Sequence, residues 1–311
     1  MRFEPNEDQT VFFTALDQIM GGKEAAWKVS PDWSRFDWAA DLDALLEQNG
    51  FYECAAEATL GPTAAVAMIF RLATLPVAVE CAASTMLRPR FAPHLPRPLA
   101  VIEGQEKSAV RFLSVAKSVL ALERDRIRVA VLHPGSVEPV ESIFAYPMAR
   151  LVHDALEWRA VDADPEAVRN AWRIGVAVEL AGVVQGGLDA VVAHVRERRQ
   201  FGRPLGSFQA IQHRLASAAT KIQGAYWLAL RAAQHASSTN AALALGYVQE
   251  ASTAIIYDLH QFMGAMGVTL EHPLHRWTYR ARLLRSSLGG AGANLRLVAA
   301  EMGVDAATGR P

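Results

Sequence analysis

The sequence predicts a mostly helical α+β protein with an N-terminal helical domain, a small reduced β-domain and a C-terminal antiparallel four-helix bundle. Apolar residues make up 51% of the 311 residues and charged residues 20%, which is enough apolar material for large cores. Short β-rich pieces are confined to the middle of the chain. The four long helical segments that follow, with their short connections, are typical of a helix bundle. We therefore expect domains over residues 1–95, 96–163 and 164–311.

The N-terminal domain is predicted to consist of short helices. Asn6 and the acidic residues after it mark the start of a helix over residues 11–20. A second helix is expected over residues 41–48, where an Asn-Gly pair ends it. Two runs, 62–75 and 77–87, are apolar on all sides, which predicts two buried helices hinged at the proline between them.

In the middle and C-terminal domains, turn residues and helix-capping residues mark where the predicted strands and helices begin and end. About five strands are predicted between Gly- and Pro-containing breakers, over residues 99–102, 110–115, 118–122, 126–132 and 156–161. Asp164 followed by Pro165 marks the start of the first long helix. The four helices of the bundle are predicted over residues 165–199, 207–238, 240–263 and 272–302.

Composition excludes several classes of protein. A net charge of -1, from 31 basic and 32 acidic residues, gives no basic surface for nucleic acid and no polybasic membrane anchor. Two cysteines, Cys54 and Cys81, are too few for a disulfide framework or a structural zinc site. The N-terminus is polar and acidic, unlike a signal peptide, and charged or amide residues interrupt the longest apolar stretches. We expect a soluble, cytoplasmic protein without a membrane span.

Common catalytic motifs are missing from the sequence. It contains no Walker A loop, no Gly-x-Ser-x-Gly elbow, no His-Glu-x-x-His and no Cys-x-x-Cys. His272 and His275 are three residues apart at a predicted helix start, but no third ligand accompanies them. We therefore interpret them as capping or interface residues, and no metal is expected.

Two segments carry the most specific pattern. The first places four arginines around Phe201-Gly202 at the end of a long helix, and the second is the turn Gln261-x-x-Gly264-x-x-Gly267. A cluster of guanidinium groups beside a glycine turn and an aromatic ring suits an extended anion such as a pyrophosphate. The alternative is a solvated basic helix end that complements the helix dipole. The residues alone leave both interpretations open.

The two segments resemble the acyl-CoA dehydrogenase family. The shared elements are the arginine-rich helix end with Phe201-Gly202, a glutamine eight residues beyond Phe201, the Gln-x-x-Gly-x-x-Gly turn and a Glu-x-Pro helix start. The resemblance covers residues 165–290, and the order of helical, β and four-helix regions is also that of the family.

The resemblance implies a site for the adenine and pyrophosphate half of FAD that is bound by a neighbouring subunit. Arg198 would contact the pyrophosphate and Phe201 the flavin nucleotide. The other residues implied to line this groove are Gln200, Gln209, Gln261 and Gly264. Ala265 belongs to the same set but stands where the family usually has a second glycine, so its methyl group narrows the approach to the dinucleotide. Glu271, from the Glu-x-Pro element, is implied as a helix cap.

The catalytic base of the family has no counterpart at either of its usual positions. The reaction removes the α-proton of an acyl-CoA thioester, which needs a carboxylate. Leu288 and Trp172 occupy the two positions at which family members carry that glutamate. Glu179 is the only charge between residues 174 and 188 and lies two turns after Trp172, on the same helix face. It is a candidate for a relocated base, or else a charge paired with an arginine of the bundle or placed at a subunit interface.

The middle domain also departs from the family. It is several tens of residues shorter and lacks the Thr-Glu-Pro-x-x-Gly-Ser and Trp-Ile-Thr-Asn segments, and residues 101–104 are the nearest counterpart of the first. The resemblance therefore implies the base-less subunit of an actinobacterial α2β2 acyl-CoA dehydrogenase. Such a subunit shares FAD with a second acyl-CoA dehydrogenase-like chain, which acts on acyl-CoA thioesters such as steroid side chains. The alternatives are a cofactor-free structural or regulatory paralogue, and a homodimeric FAD enzyme that uses Glu179 as its base.

Overall fold

The computed structural model describes residues 4–21, 38–104, 108–152 and 156–303. Within these residues, five α-helices precede the β-region: α1 (Glu7–Gly21), α2 (Ala40–Gln48), α3 (Gly61–Ala73), α4 (Ala82–Met86) and α5 (Arg88–Phe91). Five more follow it in the same described part: α6 (Pro165–Glu197), α7 (Gln209–His235), α8 (Ser238–Met263), α9 (Leu274–Leu284) and α10 (Gly290–Glu301).

The β-region contains two small sheets. Its strands in the described residues are β1 (Leu99–Ile102), β2 (Val110–Arg111), β3 (Ser118–Leu122), β4 (Ile127–Val131), β5 (Val137–Val140), β6 (Met148–Leu151) and β7 (Arg159–Ala160). One sheet has the order β1-β3-β4-β7, in which only the β1–β3 pair is parallel, with Leu99 opposite Ser118. The other is antiparallel with the order β2-β6-β5. A separate hairpin, β8 (Arg199–Gln200) and β9 (Arg203–Pro204), joins α6 to α7.

Three of the four predicted N-terminal helices are confirmed as α1, α2 and α3. The cap of α1 is reciprocal, because Asn6 Oδ1 accepts from the Gln9 N–H at 2.8 Å and Gln9 Oε1 accepts from the Asn6 N–H at 3.2 Å. The fourth prediction, a helix over 77–87, is wrong in its first half, since α4 begins only at Ala82. The buried Arg280 side chain donates to the carbonyl oxygen of Val77 at 2.9 Å and to that of Leu75. These tertiary hydrogen bonds replace the helical ones.

The strand predictions are partly confirmed. β1 and β3 match the predicted ranges residue for residue, and β4 lies within its predicted range, whereas β2 and β7 are only two residues long. The estimate of about five strands is wrong, because β5 and β6 pair with each other in the second sheet. The sequence of β5 carries Pro139 and that of β6 consists of good helix formers, so neither has a local strand signal.

Three long helices of the predicted bundle are confirmed as α6, α7 and α8, but the single fourth helix over 272–302 is wrong. It is divided into α9, which packs on α6, and α10, which packs on α8. Between them Leu288 has φ 52° and ψ 36°, in the left-handed region. The Gln249 side chain donates to the carbonyl oxygens of Ser287 at 2.9 Å and of Leu284 at 3.1 Å. These bonds satisfy carbonyl groups that a continuous helix would have paired internally.

The centre of the molecule is α6. Residues 171–184 are all buried, and α6 contacts α3, α7, α8 and α9. One apolar core therefore runs from Leu16 of α1 to Leu284 of α9, and a second, smaller one lies between the two sheets. By length and composition α6 could also cross a membrane, but 72% of its apolar window is buried against other parts of the chain. Such burial is the ordinary condition of a central helix in a bundle.

Gly182 and Gly186 of α6 allow α3 and α9 to approach this helix closely, and Gly186 gives a first testable expectation. A Cβ atom at Gly186 would lie 2.3 Å from the Thr74 carbonyl oxygen and 2.4 Å from Trp277 Nε1. Gly186→Ala should therefore lower the free energy of unfolding by about 1–3 kcal/mol, measured by urea denaturation, because backbone must move to admit the methyl group.

The matched control for this change is Gly292→Ala in α10. The new Cβ would meet only the end of the Arg296 side chain, at 3.4 Å. Alanine is the better helix former, so this variant should be neutral or slightly more stable than the wild type. Equal unfolding free energies for the two variants would contradict the close helix contact.

Candidate functional site

The two segments singled out by the sequence lie at the same end of the bundle. At the other end, the Asn170 side chain of α6 donates to Ser238 Oγ at the start of α8, at 3.2 Å. The two helices thus start together and run in parallel, and α7 returns between them. Near the far end, Arg214 of α7 forms an ion pair with Asp258 of α8. The β8–β9 hairpin after α6 and the turn after α8 are therefore neighbours, and we call this surface the bundle-end face.

The β8–β9 hairpin displays an aromatic ring and cations. α6 ends at Glu197, and Arg198 has extended backbone angles. The hairpin turns at Phe201 and Gly202, whose φ angles are 53° and 81°. The Phe201 ring is 88% exposed and meets the Phe208 ring edge-on at 6.1 Å. A left-handed backbone is uncommon for a residue other than glycine, so this exposed ring is a candidate contact for a ligand.

The turn after α8 is held in place by His260 on its inner side and is exposed to solvent on its outer side. Gly264 has φ 65°, and a Cβ built there would meet nothing within 4 Å. His260 Nδ1 lies 2.8 Å from the Gly267 carbonyl oxygen and its Nε2 lies 3.0 Å from Thr278 Oγ1. Burial lowers the pKa of His260, so its ring is neutral at pH 7. The turn therefore presents a fixed glycine backbone to the outside.

The structure brings the whole predicted cofactor set to this face. All seven residues are exposed: Arg198, Gln200, Phe201, Gln209, Gln261, Gly264 and Ala265. Within the described part of the chain, the Arg198 guanidinium and the three glutamine side chains make no hydrogen bond or ion pair. Free guanidinium and amide donors beside an approachable glycine backbone fit the pyrophosphate half of a dinucleotide.

At the start of α9, the capping role expected of Glu271 is wrong and the one expected of His272 is confirmed. Glu271 does not cap this helix, because α9 begins at Leu274 after Pro273 and has no carboxylate at its N-terminus. The Leu274 N–H donates instead to His272 Nδ1 at 3.1 Å, which confirms the capping role expected of that histidine. In the described residues no group of three or more His, Cys, Asp or Glu side chains could hold a metal.

Trp172 and Leu288, which the resemblance places at the two base positions, meet at a carboxylate that the sequence did not single out. Trp172 Nε1 donates to Glu103 Oε1 at 2.5 Å, and the Leu288 N–H donates to Glu103 Oε2 at 2.8 Å. Glu103 follows β1 directly, so the end of that strand touches both α6 and the turn between α9 and α10. A carboxylate directly after a buried strand was the available signal, but its partners lie 69 and 185 residues away in sequence.

Glu179 is held by an ion pair from the β-region. Its Oε1 accepts from Arg111 Nη1 at 2.7 Å and from the Tyr146 hydroxyl at 2.8 Å, and all three residues are buried. Burial acts to lower the pKa of Arg111, but Glu179, together with smaller contributions from Tyr146 and Glu103, raises that pKa overall. Burial and the same charge raise the pKa of Tyr146, which keeps the phenol protonated as a donor. Glu179 thus has an arginine partner, although from β2 rather than from the bundle.

Two cavities have Glu103 in their lining. One, of about 300 Å³, is bounded by β1, β2, β6 and the end of α9, and its lining includes Arg111, Met148 and Leu283. The other, of about 400 Å³, lies on the α6 side and includes Arg169 and Arg173. Glu103 lines both cavities.

A profile of the acyl-CoA dehydrogenase C-terminal domain matches residues 168–303. This part of the chain is similar to the C-terminal domain of acyl-CoA dehydrogenases. The resemblance carried by the two segments is thereby confirmed, and the match begins and ends within the bundle. The bundle-end face and the turn between α9 and α10 both belong to this domain.

Two mycobacterial acyl-CoA dehydrogenases are similar in sequence. FadE34 of Mycobacterium tuberculosis is 34% identical over 172 residues, which are 53% of this chain and 24% of FadE34. IpdE2 of Mycolicibacterium smegmatis is 34% identical over 139 residues, which are 45% of each chain. The chain therefore matches less than half the length of either relative. The equal shares also mean that IpdE2 and this chain are nearly equal in length.

Solved structures confirm the fold. One chain of the ChsE4-ChsE5 complex of Mycobacterium tuberculosis has a TM-score of 0.76 at 21% identity, covering 98% of this chain and 100% of that one. A Tcur3481-Tcur3483 steroid ACAD variant has a TM-score of 0.73 at 22% identity, covering 97% and 99%. The acyl-CoA dehydrogenase fold thus extends beyond the matched domain over the β-region and the N-terminal helices.

Proposed function

We propose that this chain is the subunit without a catalytic base in a heteromeric FAD-dependent acyl-CoA dehydrogenase, where it completes the FAD site of an unlike partner. The observation that carries this proposal is an asymmetry within the chain. The seven predicted cofactor residues on the bundle-end face are all exposed, and in the described part of the chain Arg198 and the three glutamines make no hydrogen bond. In contrast, Trp172 and Leu288 stand at the proposed base positions and contact the β-region through Glu103.

The bundle-end face would hold the adenine and pyrophosphate half of FAD. Arg198 would pair with the pyrophosphate, Phe201 would stack on the nucleotide, and the backbone at Gly264 would allow close approach. The exposed methyl group of Ala265 lies beside this path. When bound, FAD accepts the hydride that leaves the β-carbon of the acyl thioester.

The base that removes the α-proton would come from the partner subunit. A base must reach its proton within about 3 Å or through one water molecule. Glu179 is buried, and the Arg111 guanidinium and the Tyr146 hydroxyl already bind its Oε1. A carboxylate fixed in an ion pair is poorly suited to accept a substrate proton, which removes the main support for a homodimeric enzyme that uses Glu179.

The assembly and substrate class are proposed by analogy with the similar structures. ChsE4-ChsE5 is a complex of two chains, and the Tcur3481-Tcur3483 protein is a steroid ACAD. By analogy we assign this chain to an α2β2 oxidoreductase of the cytoplasm that acts on the CH–CH bond of an acyl-CoA. Its substrates would be steroid-derived CoA thioesters in the lipid metabolism of an actinobacterium, and one FAD would be shared by each pair of unlike subunits. A cofactor-free paralogue would leave Arg198 and Phe201 without a ligand.

Arg198→Ala tests the cofactor role of the bundle-end face in the complex co-expressed with its partner. Loss of a charge-assisted hydrogen bond costs about 1.5–3 kcal/mol, so FAD should bind roughly ten- to a hundredfold more weakly. We expect the flavin-to-protein absorbance ratio to fall after gel filtration.

Arg231→Ala provides the control for this experiment. Arg231 is exposed on α7, near the opposite end of the bundle, so its removal changes the net charge equally. This variant should retain flavin like the wild type. Equal flavin retention by the Arg198 and Arg231 variants would favour a solvated basic helix end instead.

A further inference from the structure

The cavity of about 400 Å³ beside the first turns of α6 has the hydrogen-bond donors of an anion site. Its lining includes Arg124, which follows β3, Arg169 and Arg173 of α6, and Gly289, which precedes α10. We propose that this cavity binds a phosphate group, carried either by a small phosphorylated molecule or by inorganic phosphate. The cavity lies near the start of α6 and the bundle-end face lies at the end of that helix, so the two sites are separate.

Arg173 provides a buried donor without an acceptor. Its side chain is only 7% exposed, and its Nε is buried without a hydrogen-bond partner in the described part of the chain. Its Nη1 is occupied, because it donates to Glu166 Oε1 and to Asn170 Oδ1, both at 2.6 Å. A buried N–H group without an acceptor is costly. An oxyanion in the cavity that Arg173 lines would satisfy this donor.

The start of α10 provides backbone N–H groups. This helix is 12 residues long, and its N-cap residue, Gly289, forms no side-chain cap. The first N–H groups of a helix have no partner within the helix and carry the positive end of its dipole. Because Gly289 lines the cavity, this helix end borders the same space as Arg173. Guanidinium groups beside a helix N-terminus are a common setting for phosphate oxygens.

The charge around the cavity favours an anion. Arg169 is committed to the protein, since it pairs with Glu166 at 2.8 Å and donates to the backbone carbonyl oxygen of Glu123 at 2.8 Å. Glu103 is also committed, because each of its two oxygens accepts an N–H group. Arg124 is exposed and makes no side-chain hydrogen bond or ion pair in the described residues. Three arginines against Glu103 and Glu166 therefore leave one positive charge.

The cavity also has room for more than a phosphate ion. Cavities that bind small organic ligands begin at about 300 Å³. Leu122 and Leu288 add apolar wall to the lining. The organic part of a phosphate monoester can therefore lie against these two side chains while its phosphate group meets Arg124 and Arg173.

Calorimetric titration of the full-length protein, in the assembly in which it is isolated, tests the site. Inorganic phosphate, glycerol 3-phosphate and glycerol are titrated separately. Both anions should bind to one site in each copy of this chain, and glycerol should not bind. Tighter binding of glycerol 3-phosphate would identify a phosphorylated molecule as the ligand, and tighter binding of inorganic phosphate would identify the free ion. Absence of binding by both anions would overturn the proposal.

Two arginines of the same turn separate this site from other anion-binding surfaces. Arg124→Ala should weaken binding of both anions about tenfold, because it removes a charge-assisted hydrogen bond. Arg126→Ala is the matched control, since Arg126 is exposed, does not line the cavity and carries the same charge. It should bind both anions like the wild type. Equal affinities of the Arg124 and Arg126 variants would also overturn the proposal.

Arg173→Lys tests the buried donor itself. Lysine keeps the positive charge beside Glu166 but has no counterpart of the Nε–H group. This variant should bind both anions at least tenfold more weakly, whereas unchanged affinity in a folded variant would contradict the role of Arg173. Flavin content reports separately on the proposed FAD site and should be the same in the wild type and all three variants.

Discussion

Replacing Arg111 with alanine is expected to lower the free energy of unfolding by about 3–5 kcal/mol, since Glu179 would then be a buried charge without a cationic partner. The side chains of this pair are 9% and 6% exposed, so the carboxylate lies where bulk water does not solvate it. Urea denaturation of the complex, followed by circular dichroism, measures the change. The pair also joins β2 to α6, and its loss should loosen the β-region first.

Two further variants separate the ion pair from general effects of removing an arginine. Arg126→Ala breaks an exposed pair with Glu123 and should change stability little. The double variant Arg111→Met with Glu179→Gln removes both charges and leaves an amide oxygen for the Tyr146 hydroxyl. It should recover most of the lost stability, because desolvation of the charges no longer opposes folding. A double variant as unstable as Arg111→Ala would contradict this explanation.

The second large effect concerns turnover by the complex. Changing the partner's catalytic glutamate to glutamine should reduce turnover by about a hundred- to ten-thousandfold, the usual contribution of a general base. Glu179→Gln in this chain should leave turnover per folded complex within a few fold of wild type, although the complex should unfold more readily. Ferrocenium reduction with a steroid side-chain CoA thioester measures both rates.

Glu250→Gln is the matched control, because Glu250 is exposed on α8. It should alter neither turnover nor stability. A collapse of turnover in the Glu179→Gln complex with flavin still bound would make this chain the catalytic subunit.

The parts of the fold that were predictable are those whose signal is local. The cap at Asn6 and the strands β1 and β3 are encoded by neighbouring residues, and the structure reproduces them. The failures have long-range causes. Residues 77–81 are not helical because distant donors bind their carbonyl groups, Arg280 that of Val77 and Arg97 that of Glu80. Strand β5 forms despite Pro139 because β6 pairs with it. The single fourth helix is wrong because a left-handed Leu288 is stabilised by α8 and α10.

The candidate site also has parts that local sequence predicts and parts that depend on long-range contacts. The bundle-end face follows from two short segments, since each is a helix end with its turn. The contacts of Glu103 and Glu179 could not be predicted in this way. Glu179 and Arg111 are 68 residues apart, and Glu103 and Leu288 are 185 residues apart. Only the folded chain shows that Trp172 and Leu288, the residues at the proposed base positions, both contact the Glu103 carboxylate.

Native mass spectrometry of the co-expressed complex tests the central claim most directly, because it counts chains and flavins together. We expect two copies of this chain, two copies of an acyl-CoA dehydrogenase-like partner and two FAD. When expressed without the partner, this chain should carry no FAD. A folded oligomer of this chain alone, with one FAD per chain, would contradict the account.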